Sequence, residues 1–293
     1  MNERQTRPHG LRRSKVVAKG GTFEAIAKAH ASKADVVQIE LEGGFPPEQR
    51  PAAVDATCRA LEELDWTKTE AWVRLPSIDS ADAIAALPRV LAGRPQLIYC
   101  AKVKTAADVQ KLSDEITRLE PTLGLSSGST QVGAVIERVE ALANVESIAT
   151  ATSRMGAIMF GANDMSLDFG YRRTGTPEMA YETLYIRSRM VLAGRLAGID
   201  IFDATYMDFS DLESSEADAR FSARMGFTGK TAISPVQVEG IHRAFVPTER
   251  ELIWANAVVA AAAHPIPEQR LVDDDRIDAT DHARALNLLG RAR

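Results

Sequence analysis

Val132-Gly133-Ala134-Val135-Ile136-Glu137 and, one strand–helix–strand unit later, Ala157-Ile158-Met159-Phe160-Gly161-Ala162-Asn163-Asp164 are the stretches on which the fold turns. In each, an apolar run of strand length gives way to an acid and then to a polar, helix-starting segment. The same alternation recurs outward in both directions. Strands are expected over residues 14–18, 35–41, 70–75, 96–101, 131–136, 157–161, 199–202 and 228–233. Helices are expected between them over 23–32, 51–64, 81–92, 106–119, 139–149, 177–197 and 211–225, with a break or kink at Pro88. A helix over 249–263 follows, and a last one begins near Asp278. Eight alternations are what a closed parallel barrel needs. The sequence therefore predicts an α/β protein: a (β/α)8 TIM barrel over 1–245 and a C-terminal helical extension or lid over 246–293. Residues 1–13 are polar and basic and are expected to be poorly ordered.

Composition narrows the class. The chain has 293 residues, 45% of them hydrophobic, and a net charge of −5, which suits one large domain with an appendage rather than a nucleic-acid groove. Basic residues cluster early, at Arg4, Arg7, Arg12, Arg13, Lys15 and Lys19. They read either as a solvated arm or as contacts for an anionic ligand. Cys58 and Cys100 lack zinc-site spacing and read as small core residues. No stretch resembles a signal peptide or a membrane span, so no membrane association and a cytoplasmic location are expected.

In a barrel, Glu137 and Asp164 would both project at the carboxyl ends of strands, where such folds place their chemistry. Two carboxylates there, with no His or Cys beside them, suit a hard divalent cation such as Mg²⁺. The competing reading is that each acid caps the helix after it. Arg74 also ends a strand and is placed to fork onto a substrate carboxylate, or to pair with Glu42. Glu40 and Glu42 alternate on one strand face, and buried carboxylates need partners. Lys102 closes the fourth strand and is a candidate substrate contact; a structural or electrostatic role is favoured over a Schiff base.

Several segments then resemble one family in order and spacing. Gly161-Ala162-Asn163-Asp164-Met165 is similar to Gly-Ala-Glu-Asp-Leu, Ala134-Val135-Ile136-Glu137 to Leu-Ile-Glu, and Ala101-Lys102-Val103 to Pro-Lys-Val. Asp203-Ala204-Thr205-Tyr206-Met207-Asp208 resembles Asp-Gly-x-Tyr-x-Asp. Gly229-Lys230-Thr231-Ala232-Ile233-Ser234-Pro235-Val236-Gln237 resembles Gly-Lys-x-Ala-Ile-His-Pro-x-Gln. These are motifs of the citrate lyase β-subunit-like enzymes within the HpcH/HpaI aldolase group, and the resemblance covers about residues 12–290.

That resemblance implies a Mg²⁺-dependent barrel acting on thioesters of coenzyme A or of an acyl carrier. It implies Glu137 and Asp164 as metal ligands, Arg74 on the substrate carboxylate or carbonyl oxygen, and Glu42 in the polar network around them. It also implies a homotrimer or hexamer whose C-terminal element covers a neighbour's site. Asp278 would then be the acid/base at the thioester α-carbon, unless it only caps the last helix. The expected reaction is cleavage of a short 3-hydroxyacyl-CoA, with (S)-citramalyl-CoA the leading substrate and malyl-CoA next. A citrate lyase β subunit acting on a carrier protein, and a non-catalytic acyl-CoA-binding barrel, are the alternatives.

The chain departs from the pattern in three places. Asp-Leu-Glu-Asp becomes Glu40-Leu41-Glu42-Gly43, and the usual His before Pro235 is Ser234. Phe-Val-Pro-Gly becomes Val17-Ala18-Lys19-Gly20, where Lys19 is a candidate contact for a coenzyme A phosphate.

Overall fold

The computed structural model describes residues 11–19, 21–173, 181–266 and 269–291. The chain divides into two compact units, Met1–His242 and Arg243–Arg293.

In the first unit eight parallel strands close in sequence order: β1 Ser14–Ala18, β2 Val36–Glu40, β3 Glu70–Leu75, β4 Leu97–Cys100, β5 Gln131–Ile136, β6 Met155–Phe160, β7 Asp200–Asp203 and β8 Gly229–Ala232. Closure is the β1–β8 pairing, with Ser14 opposite Lys230 and Val16 opposite Ala232. Period-2 alternation sends one face of each strand into the barrel. The interior is a packed layer of Val36, Trp72, Leu97, Tyr99, Met159 and Phe202 with their neighbours, in which Trp72 meets Phe202 edge-on at 5.3 Å. It is a filled core, not a pore.

The helices between strands are α1 Phe23–His30, α2 Arg50–Glu63, α3 Ala81–Ala92, α4 Ala106–Thr122, α5 Val139–Ala143, α6 Val145–Ala149, α7 Ala162–Phe169, α8 Leu184–Ala197 and α9 Leu212–Met225. Thr22, Ser80 and Asp211 cap α1, α3 and α9 with side-chain oxygens on backbone N–H groups. The helices differ from expectation in places. The helix α3 shows no break at Pro88. The expected helix over 139–149 is two short helices that meet at Asn144, whose side-chain amide donates to the Lys104 and Glu140 carbonyls. The α7 helix, anticipated only as a start at Asp164, spans Ala162–Phe169, and the α10 helix (Val238–Phe245) was not expected. Of the helix expected over 177–197, the described part is a 3-10 turn at Tyr181–Thr183 followed by α8; residues 174–180 lie outside the described residues.

The early basic cluster is only partly an arm. Arg4 and Arg7 lie outside the described residues. Arg12 is buried, 4% exposed, and bridges three strands: its guanidinium pairs with Glu70 at 2.7 Å and Asp200 at 3.3 Å, and donates to Gln131 Oε1 at 2.8 Å. It also lies 5.0 Å from the centre of the Trp72 ring. These partners sit at the amino ends of their strands, so Arg12 plugs the barrel end opposite the acids. Arg13 is held by a fork onto Asp35, not free in solvent.

The second unit holds α11 Glu249–Ala262, a hairpin of β9 Leu271–Val272 and β10 Asp275–Arg276, and α12 Ala279–Arg291. Asp273 and Asp274 both have positive φ, 50° and 67°, which is what a tight two-residue hairpin turn requires. Ala255, Val258, Ile277 and Ala285 form its small core. Among the described residues no helix is long and apolar enough to cross a membrane.

Candidate active site

The carboxyl ends of β2, β3, β5 and β6 bring four of the expected residues to one point, and the turn after β4 adds a fifth. Arg74, on β3, donates from Nη2 to Glu42 Oε2 at 2.9 Å and to Glu137 Oε2 at 3.4 Å, and from Nη1 to Glu40 Oε2 at 3.3 Å. Both readings of Arg74 thus meet in one place: it pairs with Glu42, and it stands at the barrel mouth. Burial works against its charge, but Glu40, Glu137 and Glu42 outweigh burial and hold its pKa well above the ordinary value.

Lys102 follows β4 with φ of 61°, a left-handed conformation uncommon for a side chain of its size. This turn aims its backbone N–H at Glu137 Oε1, 2.9 Å away. Its ammonium lies 3.3 Å from Asp164 Oδ1, 3.7 Å from Glu42 Oε1 and 3.9 Å from Glu137 Oε1. Three carboxylates therefore surround one cation.

Glu137 is almost fully buried, and burial pushes its carboxyl above the usual carboxylate range against the pull of Arg74 and the Lys102 N–H. A Cβ at Gly161 would come within 2.5 Å of Glu137 Cβ, so only glycine leaves room for Glu137 beside β6. Asp164 lies in the first turn of α7, and the backbone N–H donors of that turn favour an anion there.

Arg74, Glu137 and Asp164, with Glu40, line a cleft of ≈ 160 Å³ that reaches down into the barrel. That is small beside the roughly 300–1,000 Å³ of drug-sized pockets. Along β1 and just past it, Lys15, Val17 and Lys19 alternate onto the cleft wall. Lys19 is exposed. Lys15 is 3% exposed, donates to Gln38 Oε1, and has its pKa lowered to about 7 by burial and by Arg74, against Glu40. Gln38 in turn donates to Glu40 Oε2 at 3.0 Å. Gln38 and Tyr99 were not expected at the site and Lys15 was expected only as part of a basic cluster; the i, i+4 spacing of Lys15 and Lys19 was the available signal.

Asp278 belongs to the second unit. There it caps α12, accepting from Thr280 N at 2.7 Å and Asp281 N at 2.9 Å. The Asp281 and Thr280 N–H groups hold its carboxyl below the usual range. The motif residues Asp203 and Lys230 belong to a buried ion network behind the barrel wall: Lys230 pairs with Asp218 at 2.6 Å and Asp203 at 3.3 Å, and Arg187 pairs with Asp203 at 3.1 Å.

The site's chemistry can be tested against a metal. Among the described residues no group of three His, Cys, Asp or Glu side chains is arranged to hold an ion by itself. Glu137 and Asp164 form a two-carboxylate set, however, and the Lys102 ammonium marks the spot where they call for positive charge. Mg²⁺ is commonly held by one or two carboxylates, its other positions going to water and substrate. The residues fit it.

Residues 13–235 match the HpcH/HpaI aldolase/citrate lyase family. The chain belongs to this family. It is 30% identical over 262 residues to the citrate lyase subunit beta of Escherichia coli K12, covering 89% of this chain and 85% of that one. It is 32% identical over 257 residues to an L-malyl-CoA/beta-methylmalyl-CoA lyase of Cereibacter sphaeroides, covering 82% and 79%. Among solved structures, CitE of Mycobacterium tuberculosis in complex with magnesium, acetoacetate and coenzyme A superposes with a TM-score of 0.78 at 27% identity, covering 97% of this chain and 98% of that one. The relatives are named lyases, and the barrel expected from the sequence is the family's fold.

Proposed function

We propose that this chain is a Mg²⁺-dependent carbon–carbon lyase cleaving a short 3-hydroxyacyl-CoA thioester. The observation that carries the reading is the convergence of Glu137, Asp164 and Glu42 on one cation beside Arg74, at the barrel end where such folds do chemistry. The lyase names of the relatives and the magnesium and coenzyme A of the similar CitE structure support it. Glu137 and Asp164 would hold the ion, which when bound supplies positive charge to the hydroxyl and carboxylate oxygens of the substrate.

In the cleavage direction the 3-hydroxyl passes its proton to solvent and becomes a ketone. The electron pair of the breaking carbon–carbon bond passes to the thioester as an enolate, and the α-carbon takes up a proton. Arg74 stabilises charge on oxygen from a position already fixed by three carboxylates, so little reorganisation is needed. Glu42 and Glu40 set that position. Lys102 holds Glu137 through its backbone N–H. Asp278 exchanges the α-carbon proton. Its ionised state suits removal of that proton in the condensing direction.

(S)-Citramalyl-CoA, giving acetyl-CoA and pyruvate, is the leading substrate. The similarity to a malyl-CoA lyase gives malyl-CoA, with glyoxylate as product, an equal claim. A homo-oligomer, trimeric or hexameric, with Asp278 acting on a neighbouring subunit's cleft, completes the proposal. Purified protein is incubated with each thioester and Mg²⁺, and pyruvate and glyoxylate are quantified. Release of either oxo acid is expected; release of neither on any CoA thioester would return the reading to a carrier-protein subunit or a non-catalytic barrel.

A further inference from the structure

Lys15 lines the cleft but takes no part in the proposed reaction. A lysine 3% exposed inside a barrel ordinarily has a carboxylate partner, because a buried charge without one is costly. Among the described residues Lys15 has none within ion-pair distance. Its ammonium donates to the neutral Gln38 Oε1, and the Tyr99 and Phe202 ring centres lie 5.8 Å and 5.9 Å away. Glu40, the acid that attracts it, is already engaged: Oε2 accepts from Arg74 and Gln38, and Oε1 from the Glu42 backbone N–H. Arg74 adds like charge. An ammonium has three N–H donors, and two of these find no protein acceptor. Lys15 also lines the cleft that holds Glu137 and Asp164.

We propose that Lys15 is the carboxylate-binding residue at the floor of the cleft: it receives the carboxylate of the oxo-acid half of the substrate. This rests on the lyase reading and divides the labour it left open. Lys15 takes the carboxylate, and Arg74 is left to the carbonyl oxygen at which charge develops. The ligand class is a short 2-oxo acid anion and the thioester that yields it. The Lys15 ammonium, short of acceptors when the cleft is empty, gains one charge-assisted hydrogen bond when such an anion enters.

The test is binding, which needs no turnover. Pyruvate and glyoxylate are titrated calorimetrically into the full-length protein with saturating Mg²⁺, alongside uncharged pyruvamide. Lys15→Met preserves length and apolar packing; Lys15→Gln is the second variant, with folding of both checked by circular dichroism and thermal melting. Expected are wild-type binding of an oxo acid and a loss of roughly 10- to 100-fold in both variants, with pyruvamide little affected. Folded variants that bind the oxo acid as tightly as wild type, or that lose pyruvamide equally, would overturn the role of Lys15 and leave the lyase reading standing. A wild type that binds neither oxo acid would remove the lyase reading, and this inference with it.

Discussion

The buried Lys15 charge weighs against the stability of the barrel. The Lys15 pKa lies at about 7 in the fold against 10.5 for an ordinary lysine. Between these values the folded state binds fewer protons than the unfolded chain, so stability rises with pH across this window. Below pH 7 the whole penalty is present. Lys15→Met should therefore stabilise the protein by on the order of a few kcal/mol at pH 7, a gain that fades as pH approaches 10.5. Urea unfolding of both proteins across that range checks it; equal stability at pH 7 would contradict it. Gly161 tests the other side of the cleft. Gly161→Ala pushes a methyl into Glu137 and should weaken Mg²⁺ binding by about 10- to 100-fold, read by calorimetry. At this scale Glu137, Asp164 and Arg74 were legible because polar residues ending apolar runs stand out. Lys15 was not: flanked by Arg12, Arg13 and Lys19, it reads as one more basic residue of an arm, and only the barrel's pleat separates it from them.

Among the elements, the strands were easier to read than the helices. A strand buried on both faces is a continuous apolar run, and all eight were found within a few residues. The extent of α7 was not legible, because Ala162-Asn163-Asp164-Met165-Ser166-Leu167-Asp168-Phe169 is short and polar, with only Ala162 and Met165 buried. The helix α10 had a signal just ahead of it that went unread: Ser234-Pro235-Val236-Gln237 is a capping box, with proline at the first position, on the 3-10 turn Pro235–Gln237 that leads into α10. Here Gln237 Oε1 accepts from both Ile233 N and Ser234 N. The elements β7, β8, α8 and α9 are tied together by Asp203, Lys230, Arg187 and Asp218. Burial disfavours the Asp203 charge, but Lys230 and Arg187 prevail and lower its pKa to about 2. That stabilisation is present above the ordinary carboxylate range and is lost as pH falls through about 2. Asp203→Ala leaves buried cations short of a partner and should cost about 3–5 kcal/mol, measured by urea unfolding at neutral pH.

The whole molecule raises the question of how Asp278 meets the chemistry. Asp278→Asn should lower turnover while leaving Mg²⁺ and pyruvate binding unchanged. If the acid is supplied to another subunit, inactive Glu137→Ala and Asp278→Asn chains, mixed and allowed to exchange, should regain part of the wild-type rate. No recovery after verified exchange would place both residues in one subunit's reaction. The barrel itself was legible from the count of alternations, whereas the two-residue hairpin at Asp273 and Asp274 was hidden in an acidic run. The central claim is that Glu137 and Asp164 hold the ion on which carbon–carbon cleavage depends. Its most direct test follows pyruvate release from (S)-citramalyl-CoA, and glyoxylate release from malyl-CoA, in metal-stripped protein as Mg²⁺ is restored. Activity should be absent without metal, return with Mg²⁺ for wild type, and fail to return for the Glu137→Ala, Asp164→Ala double variant. Metal-stripped protein, or the double variant, turning over at the wild-type rate would contradict it.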